Sequence, residues 1–366
     1  MKRSVYARYM KKDWSGIWLV LGIFAALNLM DYGTFPGGDP FRDGKLRYLF
    51  FTCGPLAYVY FKRHLGVAPA FFVGMSIISY TIHNFMLYAA TPLLMILAVM
   101  AGATALVKMG RERVASLLVW SGTLQAGFAL VQLIFGYHML YIPDEPKFMH
   151  IPVGLYGHET VLGPFLLACL CAALWRRDWV RSGLMVAALL ASLSSMTIGC
   201  LGVVVLIYVW HVAGGRVAAA LLALGAVLLA GFFMVDPSHP LLDWDGRGVI
   251  WKYGWMAFLE RPMFGYGPGA WYGELLRKYS VEYAAELRTM PRQLHCDSLD
   301  FLVEYGLFGA AFMALPMLRY VWRFRPTWTH AASAAILVNG LANFPLCLPS
   351  IAVVFVACWA FSNQGG

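Results

Sequence analysis

Charge is scarce in this sequence. Lys, Arg, Asp and Glu make up 13% of its 366 residues and hydrophobic types 60%, whereas soluble domains carry about 25% charged residues. So little polar surface cannot face water, which excludes a soluble globular protein and leaves lipid as the solvent for most of the chain. Acidic residues are the scarcer sign, 19 against 28 basic, for a net charge of +9. A basic excess can mark a nucleic-acid binder. Here the cations fall in short clusters between apolar runs, the positive-inside pattern of a polytopic membrane protein, so nucleic acid is not a partner. Cys53, Cys169, Cys171, Cys200, Cys296, Cys347 and Cys358 include no Cys-x-x-Cys pair, which argues against a disulfide framework or a zinc site. Most lie in apolar runs and read as buried hydrophobes. No metal or other cofactor is implied. No tandem repeat is visible, and no inverted repeat of the kind that marks many secondary transporters.

What is present is a series of apolar runs, each near the ~20 residues a helix needs to cross the hydrocarbon core. The basic segment MKRSVYARYMKKDWSG precedes the first run, and no small-residue cleavage site follows Met30. An uncleaved first span is therefore expected. Runs bounded by charges or turn residues predict spans near 15–31, 46–61, 66–83, 88–107, 114–137, 159–175, 182–195, 197–212, 216–235, 297–322, 329–344 and 347–362. The pair at 182–212 reads as a tight hairpin around Ser194–Thr197 or as one long bent helix, with length favouring the hairpin. Pro345 and Pro349 flank the break between the last two spans, where a turn is expected. With both termini cytoplasmic, every short inside segment is basic. The expected fold is an all-α polytopic membrane protein of about 12 transmembrane helices. Three longer segments, 32–45, 138–158 and 236–296, then lie outside, and the last is the large extracytoplasmic loop.

Chemistry concentrates in that loop. Asp245 precedes Ile250, Trp251, Trp255 and Phe258 at helical spacing and reads as an N-cap. Arg247 then falls in the first turn, where a cation is unfavourable by roughly a few tenths of a kcal/mol. An anion bound beside it reverses that sign, because helix-terminal N–H groups and a guanidinium together make a phosphate site. The plainer alternative is a surface arginine paired with Asp245 or Asp243. Beyond the helix come Glu260, Arg261 and Pro262, then Gly265, Gly267 and Gly269. With no strand before it, this run is not a dinucleotide fingerprint; it marks a turn where backbone passes close to a helix or a sugar. A second amphipathic helix is expected over about 270–288, and Arg292 and His295 precede the next span. Asp297, Asp300 and Glu304 follow at the membrane face, where ionisable groups are costly and usually functional. An unperturbed imidazole titrates near ~6.5 and suits general-base work. The plainer alternative for His295 is a backbone-bonded residue at the start of a helix.

These residues resemble the O-antigen ligase and polymerase superfamily. The resemblance is carried by Arg247 and Trp251, by Glu260 through Gly269 (ERPMFGYGPG), and by His295 with Leu299 and Leu302 through Gly309 (LVEYGLFG). Gly154 through Gly163 (GLYGHETVLG) is similar to the family's Gly-rich lead-in to a middle span and includes His158 and Glu159. The resemblance covers about 154–362. It implies a GT-C-like, metal-independent, inverting glycosyltransferase of the bacterial inner membrane with its site facing the periplasm. The donor would be a polyprenyl-diphosphate-linked glycan and the acceptor a glycan or lipid A-core hydroxyl. In the implied roles, Arg247 holds the donor diphosphate and His295 activates the acceptor or orients the reacting groups. Arg288, Arg292 and Arg261 are further phosphate contacts, and Trp251, Gly265, Gly267, His158 and Glu159 line the substrate site. Two departures stand out. No arginine occupies the Ser194–Gly199 stretch where members carry Ser-Arg, and Cys296 replaces the Asn after the His.

Within that resemblance an O-antigen ligase is the first expectation and a repeat-unit polymerase the second. A transporter or flippase of lipid-linked glycans belongs to another class, and would place charges and broken helices at mid-membrane. Here the polar groups crowd one loop instead.

Overall fold

The computed structural model describes residue 96, residues 99–100, 102–135, 152–155, 159–192, 194–235, 247–271, 275, 278–279 and 294–363. They are helical, with no strand among them. The spans expected before residue 88, and segments 32–45 and 138–151, lie outside the described residues.

Nine helices organise the described chain: α1 (Arg111–Phe135), α2 (Glu159–Trp175), α3 (Trp179–Ala191), α4 (Ser195–Ala213), α5 (Gly215–Val235), α6 (Arg247–Glu260), α7 (Asp297–Trp322), α8 (Trp328–Asn339) and α9 (Pro349–Asn363). A 3-10 turn, Pro345–Cys347, joins the last two. α2 is apolar all round, and Leu162 and Phe165 through Ala173 are almost fully buried. A helix with no polar face belongs in an interior, and α2 packs against α1, α3, α4 and α8.

Among the described helices α1 and α4 are long and apolar enough to cross a membrane, and α7 joins them if its two parts, bent by 43° near Pro316, form one span. α3 and α9 are apolar but shorter. By length and composition these helices are consistent with a membrane protein. The break at 192–194 gives two helices where one bent helix was the alternative. At 13 residues α3 is about 20 Å long, short of the hydrocarbon core. α4 returns to the end from which α3 starts. Tyr208, near the end of α4, meets Trp175 with ring centroids 5.2 Å apart and Trp179 at 6.2 Å. At the opposite end Thr197 fits the space left by Gly163, where a Cβ would lie 2.2 Å from its hydroxyl.

α8 fixes the polarity of the bundle. Its first residue, Trp328, lies under the Arg111 guanidinium, and the nearby Pro326 carbonyl accepts from Trp175 Nε1 at 3.3 Å. Its last residue, Asn339, donates to Cys200 Sγ near the start of α4. One end of the bundle is thus basic and aromatic; the other carries the start of α7.

Candidate active site

The Pro-Met-Phe-Gly-Tyr-Gly turn and the Glu-Tyr-Gly segment of α7 form one backbone joint. α7 breaks at Gly306, whose φ of 62° and ψ of −166° lie outside the helical region. A break in a helix leaves amides and carbonyls without their usual partners, and the turn supplies replacements. Tyr266 N–H donates to the Val303 carbonyl and Gly267 N–H to the Glu304 carbonyl, both at 2.9 Å. In return, Leu307 N–H donates to Pro262 at 2.8 Å and Phe308 N–H to Met263 at 2.9 Å. The Glu304 carboxylate accepts from Gly269 N–H at 2.6 Å. Glycine is required where the chains touch. A Cβ on Gly265 would lie 2.5 Å from the Glu304 carbonyl oxygen, and one on Gly306 would lie 2.5 Å from the Met263 carbonyl. The backbone that Gly265 and Gly267 approach is that of a helix.

The joint also orients α6. At Gly254 a side chain would collide with Leu294 and Leu299, so α6 lies close against the start of α7. Following α6 onward, Pro262 and Met263 reach the level of Leu307 and Phe308. α6 and the first half of α7 therefore run in the same direction, and their N-terminal ends lie at the same end of the pair. Arg247 starts α6 about 10 Å along the axis from Gly254, by helical rise. His295 stands just before α7. Two residues 48 positions apart thus belong to one end of the pair, Arg247 as the first residue of α6, at its positive terminus. Trp251, half-buried, stands one turn further along α6 and packs on the small core built from Ile250, Tyr253, Leu294 and Leu299.

Backbone strain marks His295. Among the described non-glycine residues only His295 (φ 52°) and Arg177 (φ 57°) adopt positive φ, a conformation that costs on the order of 1 kcal/mol or more and concentrates at functional sites. The turn drives Leu294 into the core and sets Cys296 as N-cap of α7. The imidazole stands edge-on to Phe344 with ring centroids 4.8 Å apart. Asp297 fastens this arrangement to the break after α8. Its N–H donates to the carbonyls of Gly340 (2.8 Å) and Asn343 (3.1 Å), and its carboxylate accepts from Leu346 N–H at 3.0 Å. The Cys347 thiol bridges the carboxylates of Asp297 and Asp300, at 3.7 Å from each. Asp297 thus positions His295 and Phe344 by holding the two segments together.

Arg261 and Glu260 close the far end of α6. The Arg261 guanidinium lies 4.3 Å from the Tyr266 ring centroid. Glu260 accepts from Lys278 and the Tyr266 hydroxyl, and from the Tyr279 hydroxyl at 2.8 Å. These donors, Lys278 first, hold its carboxyl down at about 2. Because it ends the helix whose start carries Arg247, Arg261 stands at the other end of α6, beside the joint. Glu159 opens α2, while His158, Arg288 and Arg292 lie outside the described residues.

Residues 165–314 match the family model described as O-antigen ligase. Over that segment the chain is similar to the O-antigen ligase family. No curated protein matches the chain. The matched segment runs from the buried α2 to the middle of α7 and so includes Arg247, the glycine turn, His295 and the α7 break. It supports an O-antigen ligase- or polymerase-type role in surface-polysaccharide assembly.

Two residues outside the O-antigen ligase match escaped the sequence reading. Gln125 and Gln132, seven positions apart on α1, hold the loop that leads into α2. Gln132 Oε1 accepts from Val153 N–H (3.0 Å) and Gly154 N–H (2.8 Å), and its amide donates to the Gly154 carbonyl at 3.0 Å. Gln125 accepts from Leu155 N–H at 2.9 Å. Gly154, at φ 59°, has no room for a side chain beside Gln125. A signal was available, since two buried amides inside an apolar run need partners. At the start of α4, where the family's arginine is absent, Thr197 is wholly buried against Gly163.

Proposed function

We propose that the protein transfers a glycan from a polyprenyl-diphosphate carrier to an acceptor hydroxyl at the outer face of the inner membrane, with lipid A-core as acceptor. The observation that carries this reading is that α6 and α7 start at the same end of their pair, Arg247 opening one and His295 preceding the other, inside the segment that matches the O-antigen ligase family. The acceptor oxygen attacks the anomeric carbon of the donor sugar as the bond from that carbon to the diphosphate oxygen breaks. His295 takes the hydroxyl proton, and the leaving diphosphate carries away the electron pair. Arg247 and the first amides of α6 face the charge that develops, the arrangement that lowers such a barrier most. Attack opposite the leaving group inverts the anomeric centre. Arg288 and Arg292 are proposed as further contacts to the donor phosphates, and Trp251, His158 and Glu159 as substrate contacts; Arg261, about 20 Å from Arg247 along α6, stands too far away to share that diphosphate. The apolar chain of the donor has a surface beside the joint, where Leu259, Met263, Phe264 and Leu307 are all about half exposed.

The test is a deletion strain complemented with wild type, Arg247→Ala or His295→Ala. For a ligase, both variants leave lipid A-core without polysaccharide while lipid-linked glycan accumulates. Core bearing a single repeat unit would identify a polymerase of the same superfamily. Full complementation by both variants refutes the site.

A further inference from the structure

We propose that the basic end of the bundle carries a binding site for one anionic phospholipid headgroup, in a cavity between α1 and the α2–α3 turn. The cavity has a volume of about 500 Å³, and Trp120, Arg176, Arg177, Asp178, Trp179 and Arg181 line it. It is remote from the candidate active site, since α2 and α8 run away from it toward the start of α7, and it does not depend on the glycosyl-transfer reading.

Three guanidiniums share this cavity with one carboxylate. Two are held in place. Arg176 donates to the Ser116 hydroxyl at 2.6 Å and the Glu112 carbonyl at 3.3 Å. Arg181 pairs with Asp178 at 3.0 Å and lies 3.9 Å from the Trp120 ring centroid. Asp178 is occupied further as the N-cap of α3, accepting from Arg181 N–H. Arg177 is exposed, and its side chain has no hydrogen bond or ion pair among the described residues. Like His295 it adopts positive φ (57°), so the α2–α3 turn presents it in a conformation that its backbone does not favour. Planar guanidinium forks suit a phosphate better than ammonium groups do.

The rim of the cavity decides between a lipid and a soluble anion. Trp120 is 58% exposed, Trp179 59% and Val180 84%. Trp179 opens α3, and indole rings at the ends of membrane helices sit at the headgroup level; a basic pocket between such helices is a headgroup site. A phosphodiester held by Arg177 and Arg181 would lay its acyl chains over Trp120, Trp179 and Val180. The basic short loops make this the cytoplasmic leaflet.

The experiment uses the purified full-length protein and native mass spectrometry, with phosphatidylglycerol as probe and phosphatidylcholine as competitor. The wild type is expected to retain one phosphatidylglycerol against excess phosphatidylcholine. Arg177→Ala/Arg181→Ala should weaken retention about tenfold, the effect of losing charge-assisted phosphate contacts. Arg177→Gln alone should weaken it several-fold with the thermal midpoint unchanged. Arg323→Ala/Arg325→Ala removes the same charge from the same end and should leave retention as in the wild type. Equal losses in the two double variants would overturn the site in favour of general electrostatics. Displacement of the lipid by excess inorganic phosphate would overturn it in favour of a soluble anion.

Discussion

Gly306→Ala tests the joint on which the candidate active site rests. The added Cβ would lie 2.5 Å from the Met263 carbonyl and 2.7 Å from the Gly265 nitrogen. Neither is the tip of a flexible side chain, so the turn and α7 must separate. The backbone is strained too, since φ 62° with ψ −166° is a glycine conformation and costs other residues about 1–3 kcal/mol. Separation weakens the four backbone hydrogen bonds across the joint, each worth about 0.5–1.5 kcal/mol net. If half of that is lost with the strain added, the destabilisation is about 4 kcal/mol. A fall in thermal midpoint of roughly 8–16 °C follows for a cooperative unit of 150–250 residues. Because α6 hangs from the joint, Arg247 moves relative to His295, and a displacement near 1 Å costs about 10²-fold in rate. The assay is glycan transfer by purified protein alongside a thermal melt in the same detergent. Gly202→Ala, in α4 with nothing near its Cβ, is the matched control and should melt at or above the wild-type temperature. Wild-type transfer and an unshifted melt for Gly306→Ala would refute the reasoning.

Three further outcomes are expected. Gln132→Leu keeps the volume but strips two amides and a carbonyl of their partner; it should cost about 2–4 kcal/mol and speed hydrogen exchange at Val153 and Gly154. Asp297→Ala leaves Leu346 N–H without its acceptor and should cost about 1–2 kcal/mol, read as a lower thermal midpoint together with lost transfer, while Asp297→Asn keeps the acceptor and loses less. Glu260 has its carboxyl held at about 2 against an ordinary 4.5. Its contribution is therefore full above pH 4.5 and disappears as pH falls toward 2. Because the carboxylate is 39% exposed, the effect is screened and should shrink in high salt. Glu260→Gln should melt at a lower temperature than wild type at neutral pH and converge with it in acid.

The helices were legible because apolar runs and the charges that bound them fix where a chain enters and leaves lipid. The expected 159–175 and 297–322 segments coincide with α2 and α7, and Pro345 and Pro349 do mark the break between α8 and α9. The site was legible as residue types but not as contacts. His295 and Asp297 were read alike as ionisable groups at a membrane face. Yet the Asp297 carboxylate is engaged by Leu346 N–H and Cys347, about 50 positions away, and no local pattern announces such a partner. Glu260 likewise meets Lys278 and Tyr279 across a turn. Gln125 and Gln132 were missed although their spacing of seven puts two costly amides on one face of an apolar helix.

The glycine turn and the Glu-Tyr-Gly-Leu-Phe segment stand about 40 residues apart, and the sequence presents them as two motifs. In the structure they are the two halves of one set of hydrogen bonds, made almost wholly by backbone atoms. Backbone bonding leaves no side-chain signature except where a Cβ would intrude, so glycines are all that such a joint writes into the sequence. It also gives Glu304, an acidic residue within an apolar segment, a role at the break. Its carboxylate meets the Gly269 amide at 2.6 Å, an N–H that the turn exposes and no carbonyl of the joint accepts. The joint determines where α6 begins relative to α7, and hence the separation of Arg247 from His295. Gly265→Ala and Gly306→Ala should therefore impair transfer alike, and the double variant should lose less than the sum of the two, because the second substitution acts on a joint the first has already opened.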